Sequence, residues 1–147
     1  MATKKPKTPF KIKVALREIA IQIRKFYKIG ERPSLKETKA MLAYISDNYS
    51  LLHLANGVLK VRTENIYKGG TNYGSCVIIL DLKRLVQSDG YYYGLKLKTP
   101  KGYRFPHQHV FADSRLCFGD GGSAAKKSVV DGRLDDFLDI IQQILRT

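Results

Sequence analysis

The chain has 147 residues, of which 44% are hydrophobic, and this length and composition suit a single domain with its own core. Lysine and arginine outnumber aspartate and glutamate by 26 to 13, and the net charge of +13 favours an anionic partner, either nucleic acid or an acidic protein surface. Two cysteines exclude a disulfide framework. No apolar run approaches the ~20 residues of a membrane span. We therefore expect a cytoplasmic protein without membrane association.

The N-terminal region is predicted to be a basic arm followed by a helix. Residues 1–9 are polar and basic and include two prolines, so we expect a flexible arm ahead of a single domain over residues 10–147. From Phe10 to about Tyr27 the apolar residues recur at steps of three and four, which is the period of an amphipathic helix.

A second helix and a β-hairpin are predicted next. Ser34 and Glu37 form a capping box, which predicts a helix that ends near Asn48. The dipeptide Asn56-Gly57 lies between two apolar runs and is a strong hairpin signal. The chain thus changes from helices to antiparallel strands at this point.

The second half is predicted to contain strands, a loop and a closing helix. Residues 74–85 and 91–99 read as strands, although the latter half of the first run could start a helical turn. Residues 119–130 are rich in Gly, Ser, Ala and Lys and read as a loop, after which Asp131 is a candidate N-cap. The closing helix has an apolar stripe of Leu134, Phe137, Leu138, Ile141 and Leu145. This order predicts an α+β fold with helices packed on one antiparallel sheet.

The candidate chemistry lies in residues 103–120, "YRFPHQHVFADSRLCFGD". Cys76 lies in a buried-strand pattern and is interpreted as a core residue. Cys117 precedes a glycine-rich stretch, and basic neighbours such as Arg115 favour the thiolate form of a cysteine. Two interpretations stay open for Cys117, a small buried hydrophobic residue or a reactive nucleophile.

His107 and His109 are two residues apart and would share a face if this segment were extended. They could bind a metal together with Cys117 or an aspartate, assist a nucleophile, or hydrogen-bond the loop. A His-x-His pair and one cysteine are too few ligands for structural zinc, which normally has four, so we predict no metal site. His53, in an apolar run, is interpreted as an ordinary sheet histidine.

The stretch "HQHVFADSRLC" resembles the active-site segment of ubiquitin-conjugating enzymes. That family has a His-Pro-Asn motif whose asparagine lies eight residues before the catalytic cysteine, and the same spacing separates His109 from Cys117. His107 matches the motif histidine, and Gln108 stands where the family has proline. His109 stands where the family has asparagine. The upstream "YRFP" is similar to a shortened Tyr-Pro-Phe-x-Pro stretch, and the whole segment is most similar to divergent bacterial and phage members of the superfamily.

The resemblance implies helices packed on a four-stranded antiparallel meander, to which this chain adds an extra N-terminal helix where the family usually has one. It also implies that Cys117 accepts a ubiquitin-like modifier as a thioester from an activating enzyme and passes it to an amine, without a metal or organic cofactor. His109 would donate a hydrogen bond to the tetrahedral intermediate or act as general base, and His107 would brace the loop. Asp113 and Asp120 would orient an imidazole or help deprotonate the amine, or serve only as turn residues.

The resemblance further implies that the first helix contacts the activating enzyme. The candidate contact residues are Lys11, Lys13, Arg17 and Arg24.

Two alternative interpretations stay open. One is a catalytically inactive basic module, of this or another α+β fold, that binds nucleic acid or a protein partner. The other is a viral or phage accessory protein of unrelated fold, in which the motif match is accidental.

Overall fold

The computed structural model describes residues 10–28, 32–87 and 89–147, with side chains described except at residues 10–15 and 51. The basic arm predicted for residues 1–9 therefore lies outside the described residues.

The described residues form six α-helices and a four-stranded antiparallel sheet, so the α+β class is confirmed. In chain order the elements are α1 (Phe10–Arg24), α2 (Leu35–Asn48), β1 (Leu51–Ala55), β2 (Val58–Lys68), β3 (Thr71–Asp81), α3 (Leu82–Leu85), α4 (Gly90–Tyr93), β4 (Leu95–Lys98), α5 (Gly122–Val130) and α6 (Leu134–Leu145). A short 3₁₀ turn, Gly119–Gly121, precedes α5.

The sheet is a meander in which each strand pairs with its sequence neighbour, in the order β1-β2-β3-β4. The β1–β2 turn contains Asn56 and Gly57, whose φ angles of 54° and 74° are the left-handed values that a two-residue hairpin turn requires. The predicted hairpin is thereby confirmed. In β2, the register shifts between Arg62 and Asn65, which marks a β-bulge next to Thr63.

The hydrophobic core lies between one face of the sheet and the helices. Val61, Ile78 and Leu97 form a cross-strand row on this inner face, and all three are fully buried. α6 packs against both β2 and α2. The predicted apolar stripe of α6 is fully buried at Leu134, Phe137, Leu138, Ile141 and Leu145. The period of 3.6 therefore identified the buried face of α6 correctly.

The start of α2 follows its capping signal. The hydroxyl of Ser34 accepts a hydrogen bond from the Glu37 backbone N–H at 3.0 Å and donates one to the Glu37 carboxylate at 3.1 Å. α1 packs on α2, and Leu16, Ala20 and Ile23 of α1 are buried there. Both predicted N-terminal helices are present.

Three local predictions were wrong. Residues 119–130 are not a loop, because α5 occupies Gly122–Val130 and buries Ala125 and Val129 against the core. Asp131 does not cap α6; it ends α5, where its carboxylate pairs with Lys127 at 2.7 Å. Only the second half of residues 91–99 is a strand, because Gly90–Tyr93 is the helical turn α4.

Candidate active site

The segment that follows β4 is held to the sheet before it reaches the predicted site. Arg104 forms an isolated antiparallel bridge with Lys98, and the Phe105 N–H donates to the Leu97 carbonyl at 3.1 Å. Phe105 is fully buried. The chain thus enters the site from a fixed point on the sheet edge rather than from a free loop.

His107 is a buried clamp between this segment and the end of α6. Its ring is 4% exposed and its Nε2 lies 2.7 Å from the carbonyl oxygen of Leu145. Because a carbonyl only accepts, Nε2 must carry the proton. Nδ1 then accepts the His109 backbone N–H at 3.0 Å.

The neutral form of His107 is the one that satisfies both hydrogen bonds. A protonated ring would point an Nδ1–H at the His109 N–H. Burial lowers the pKa of His107, an effect that the hydrogen bond to Leu145 opposes and the positive charges of His109 and Lys68 reinforce. The ring also packs against Tyr73, with centroids 5.1 Å apart. The two hydrogen bonds of His107 therefore join the segment before Cys117 to the end of α6.

His109 and Cys117 lie opposite each other in a short antiparallel pairing. Val110 and Leu116 form an isolated bridge, and the Cys117 N–H donates to the His109 carbonyl at 2.8 Å. Val110 and Leu116 are buried, whereas His109 and Cys117 are partly exposed. Since side chains alternate along paired segments, the inward pair belongs to the core and the outward pair shares the opposite face.

This pairing gives the eight-residue spacing a structural meaning. Directly opposite residues in an antiparallel pair have Cβ atoms ~4.5–5.5 Å apart, so residues eight positions apart in the chain become neighbours in space. The predicted sharing of a face by His107 and His109 is replaced by a different arrangement. Their rings are adjacent, with centroids 5.3 Å apart, but His107 is buried and His109 is partly exposed.

Asp113 forms a salt bridge with Arg115 at the tip of this pairing. Its carboxylate accepts from the Arg115 Nε at 2.6 Å and from the Arg115 backbone N–H at 3.2 Å. The Arg115 guanidinium also lies over the rings of Tyr92 and Tyr93, at 4.6 and 5.1 Å from their centroids. These contacts give Asp113 the role of a turn residue.

Asp120 lies three residues beyond Cys117 in the 3₁₀ turn and is exposed. It has no ion pair within the described part of the chain. Its carboxylate therefore faces solvent, and the role that the resemblance implies for it stays a prediction.

The two cysteines differ in exposure, and the interpretation of Cys76 as a core residue is confirmed. Cys76 is 0% exposed on the inner face of β3, and burial raises the pKa of its thiol. Cys117 is free of a disulfide and partly exposed. Of the two cysteines, only Cys117 is therefore partly accessible to solvent.

The predicted partner-contact residues all fall on α1. Arg17 is exposed, and the side chains of Lys11 and Lys13 lie outside the described residues. Arg24 is half-buried, and its Nε donates to the Pro33 carbonyl at 2.9 Å. Arg24 thus ties α1 to the start of α2, a structural contact that sequence reasoning missed.

Three neighbours of the site were not predicted. Leu145 contributes its backbone carbonyl, so no side-chain pattern could have identified it. Tyr73 comes from the β2–β3 hairpin, and Tyr92 from the misread helical turn α4. Each arrives from a different part of the chain, and only the tertiary fold brings them together.

No group of three or more potential metal ligands occurs within residues 10–28, 32–87 and 89–147. Nor is any helix in those ranges long and apolar enough to cross a membrane. No protein-family model, curated protein or solved structure matches this chain.

Proposed function

We propose that this protein is a divergent ubiquitin-conjugating-like acyltransferase that carries a ubiquitin-like modifier as a thioester on Cys117. The observation that carries the proposal is the hydrogen bond of 2.8 Å from the Cys117 N–H to the His109 carbonyl. This bond pairs Cys117, the one cysteine of the two that is partly exposed, with His109, which is also partly exposed. The order of helices, four-stranded meander, cysteine segment and later helices also supports it.

Loading exchanges one thioester for another. The Cys117 thiolate attacks the carbonyl carbon of the modifier, which is bound as a thioester to the activating enzyme. A tetrahedral oxyanion forms and collapses, the carbon–sulfur bond to the activating enzyme breaks, and the thiolate of that enzyme leaves. The modifier is then bound to the Cys117 sulfur, and no metal or organic cofactor takes part.

Transfer forms an amide. A lysine amine attacks the Cys117 thioester, a carbon–nitrogen bond forms, the carbon–sulfur bond breaks and Cys117 leaves as thiolate. The surplus proton of the amine passes to His109, to the Asp120 carboxylate or to water. A neutral imidazole has one donor and one acceptor nitrogen, so His109 can serve either the oxyanion or the amine.

His109 is suited to this role because its ring is uncommitted. Its backbone N–H donates to His107 and its carbonyl accepts the Cys117 N–H, whereas its ring makes no hydrogen bond within the described residues. These two bonds hold the backbone of His109 in place and leave both ring nitrogens available. Rigid positioning of a donor beside the nucleophile is the arrangement that oxyanion stabilisation needs.

Acylation by a peptide thioester tests the nucleophile directly. A short glycine-ending peptide thioester is incubated with the wild type, with Cys117→Ala and with Cys76→Ala, and intact masses are recorded. We expect one thiol-sensitive acyl group on the wild type and on Cys76→Ala, and none on Cys117→Ala. With Cys117→Ser we expect a slow oxyester that resists thiols.

Glutathione serves as the chemical reference. The Cys117 rate should exceed the glutathione rate at the same pH, since the site adds positioning to simple thiol exchange. Persistent acylation of Cys117→Ala, or a Cys117 rate no higher than that of glutathione, would sink the proposal.

The first helix is proposed to contact the activating enzyme through its basic residues Lys11, Lys13, Arg17 and Arg24. Arg17→Glu should raise the KM for loading from the activating enzyme while leaving acylation by the small peptide thioester unchanged. An equal loss in both assays would place the defect at Cys117 instead.

A further inference from the structure

The outer face of the sheet, which is the face turned away from α2 and α6, carries an ordered set of positive side chains. Across β2, β3 and β4, Lys60 pairs with Ile79 and Ile79 with Lys96. In the next row Arg62 pairs with Val77 and Val77 with Lys98. Paired residues share a face, so each row has a cation at both ends and an aliphatic residue in the middle.

The four cations lie at the corners of a regular patch. Alternate residues along a strand are ~7 Å apart and strands separated by one neighbour are ~10 Å apart, which sets the size of the patch. Lys60, Arg62 and Lys96 are exposed, and Lys98 is partly exposed. The patch is therefore open to solvent.

Carboxylates are nearly absent from this face. None of its four cations forms an ion pair with any residue in the described ranges. The bulge in β2 places Glu64 beside Tyr44 and Asp139, in a hollow on the helical side. Asp81 lies at the far end of the outer face, where it accepts the Arg84 N–H at 3.3 Å.

A hollow of about 220 Å³ opens at the same end of the face. Ile79, Asp81 and Lys96 line it together with Arg84 and Tyr93. Tyr93 is 51% exposed, and the Arg115 guanidinium lies over its ring. An exposed aromatic ring therefore lines the same hollow as Lys96.

We propose that the outer face binds single-stranded nucleic acid, with phosphates on the four cations and a base against Tyr93 in the hollow. Cationic tracks combined with exposed aromatic rings are the usual means of binding single strands. Protein interfaces, by contrast, are depleted of lysine at their centre and enriched in large apolar anchors, which Val77 and Ile79 do not supply. A duplex groove is read by an inserted helix or ribbon, and this face presents neither.

The number of phosphate contacts sets the salt dependence. Each neutralised phosphate contributes about −0.7 to the slope of log K against log salt for a single strand, so four contacts give a slope of about −2.8. The assay is fluorescence anisotropy of a labelled 12-nucleotide oligothymidylate with the full chain, from 50 to 400 mM salt.

Paired variants of equal charge locate the surface. Lys60→Gln/Lys96→Gln removes two of the four contacts, so the slope should fall to about −1.4 and the affinity at 0.1 M salt should fall about 25-fold. Lys36→Gln/Lys39→Gln removes the same charge from two exposed positions on α2 and should change the affinity less than threefold. Arg62→Gln/Lys98→Gln removes the other two contacts and should reduce the slope and the affinity as much as the first variant does.

Several outcomes would overturn the proposal. One is that the wild type does not bind the oligonucleotide, and another is that the α2 variant weakens binding as much as the variants of the sheet do. A duplex or polyglutamate that binds this face as tightly as the single strand would also overturn it. The surface is separate from Cys117, so acylation by the peptide thioester should be unchanged in all three variants. Failure of either proposal can therefore be recognised without the other.

Discussion

Replacing His107 by alanine tests whether the loop before Cys117 depends on the buried clamp. The change removes the partner of the Leu145 carbonyl, 2.7 Å away, and of the His109 N–H, 3.0 Å away. A buried polar group left without a partner costs about 1–3 kcal/mol. One buried and one partly buried group lose their partners, and with the lost packing against Tyr73 and Phe105 the free energy of unfolding falls by about 4 kcal/mol. The melting temperature should fall by about 12 °C, at ~3 °C per kcal/mol.

Two conservative variants divide this loss between the two bonds. The amide of His107→Gln can reach the Leu145 carbonyl, and the shorter amide of His107→Asn can accept the His109 N–H, so each should recover about half of the stability. His109→Ala is the matched control and should cost less than about 1 kcal/mol, because its ring makes no hydrogen bond within the described residues. Urea unfolding followed by circular dichroism measures all four. A loss below about 1 kcal/mol in His107→Ala, or an equal loss in His109→Ala, would refute the clamp.

The same clamp predicts a pH dependence of stability. Burial lowers the pKa of His107 in the folded protein, so between that pKa and the unfolded value of about 6.5 the unfolded chain binds more protons. The contribution is therefore complete above about pH 6.5 and is lost as the pH falls through the folded pKa, with a slope of at most about 1.4 kcal/mol per pH unit. His107→Gln does not titrate, and the difference between its stability and that of the wild type should narrow from pH 7.5 to 5.5. A constant difference would contradict the lowered pKa.

Three further predictions concern the site and the fold. His109→Asn should keep the rate of aminolysis of the Cys117 thioester within a few-fold of wild type, whereas His109→Ala should slow it about 10²-fold. The rate is measured as the loss of acyl-enzyme mass in the presence of lysine. Equal rates in the two variants would show that His109 takes no part in the reaction. Gly90→Ala should lower the free energy of unfolding by about 3 kcal/mol or more, measured in urea, because a Cβ there would overlap the carbonyl oxygens of Arg84 and Leu85. N-ethylmaleimide at pH 8 should modify native Cys117 but not Cys76, whose burial raises its thiol pKa. Peptide mass mapping locates the label, and a label on Cys76 with none on Cys117 would contradict this prediction.

Much of the fold was predictable because its signals are local. The capping box of Ser34 and Glu37 specifies where α2 begins, since both partners lie within one turn. Asn56 and Gly57 specify the first hairpin, because few other dipeptides adopt two successive left-handed conformations. Each of these features is encoded within about four residues, so no knowledge of the tertiary structure was needed.

The features that escaped prediction depend on distant contacts. The glycines around Asp120 suggested that residues 119–130 form a loop, yet Ala125 and Val129, four residues apart, already mark one buried helical face. For α4, three successive tyrosines resemble a strand, and only close packing of Gly90 against the carbonyls of α3 reveals a helical turn. The cationic patch required the strand register, which shows that Lys60 and Lys96 belong to one row.

The different surroundings of His107 and His109 follow from the geometry of the bridge between Val110 and Leu116. Val110 and Leu116 face inward, so the residues before Val110 and after Leu116 must face outward as a pair. A side chain that stands opposite Cys117 then needs only to reach outward and to carry a hydrogen-bond donor, a condition that imidazole and amide both meet. The residue at 107 is under a stricter requirement, because it must donate to Leu145 and accept from the His109 N–H at the same time. A ring with one donor and one acceptor nitrogen satisfies both requirements, whereas position 109 contributes only backbone groups to the hydrogen bonds that hold this segment.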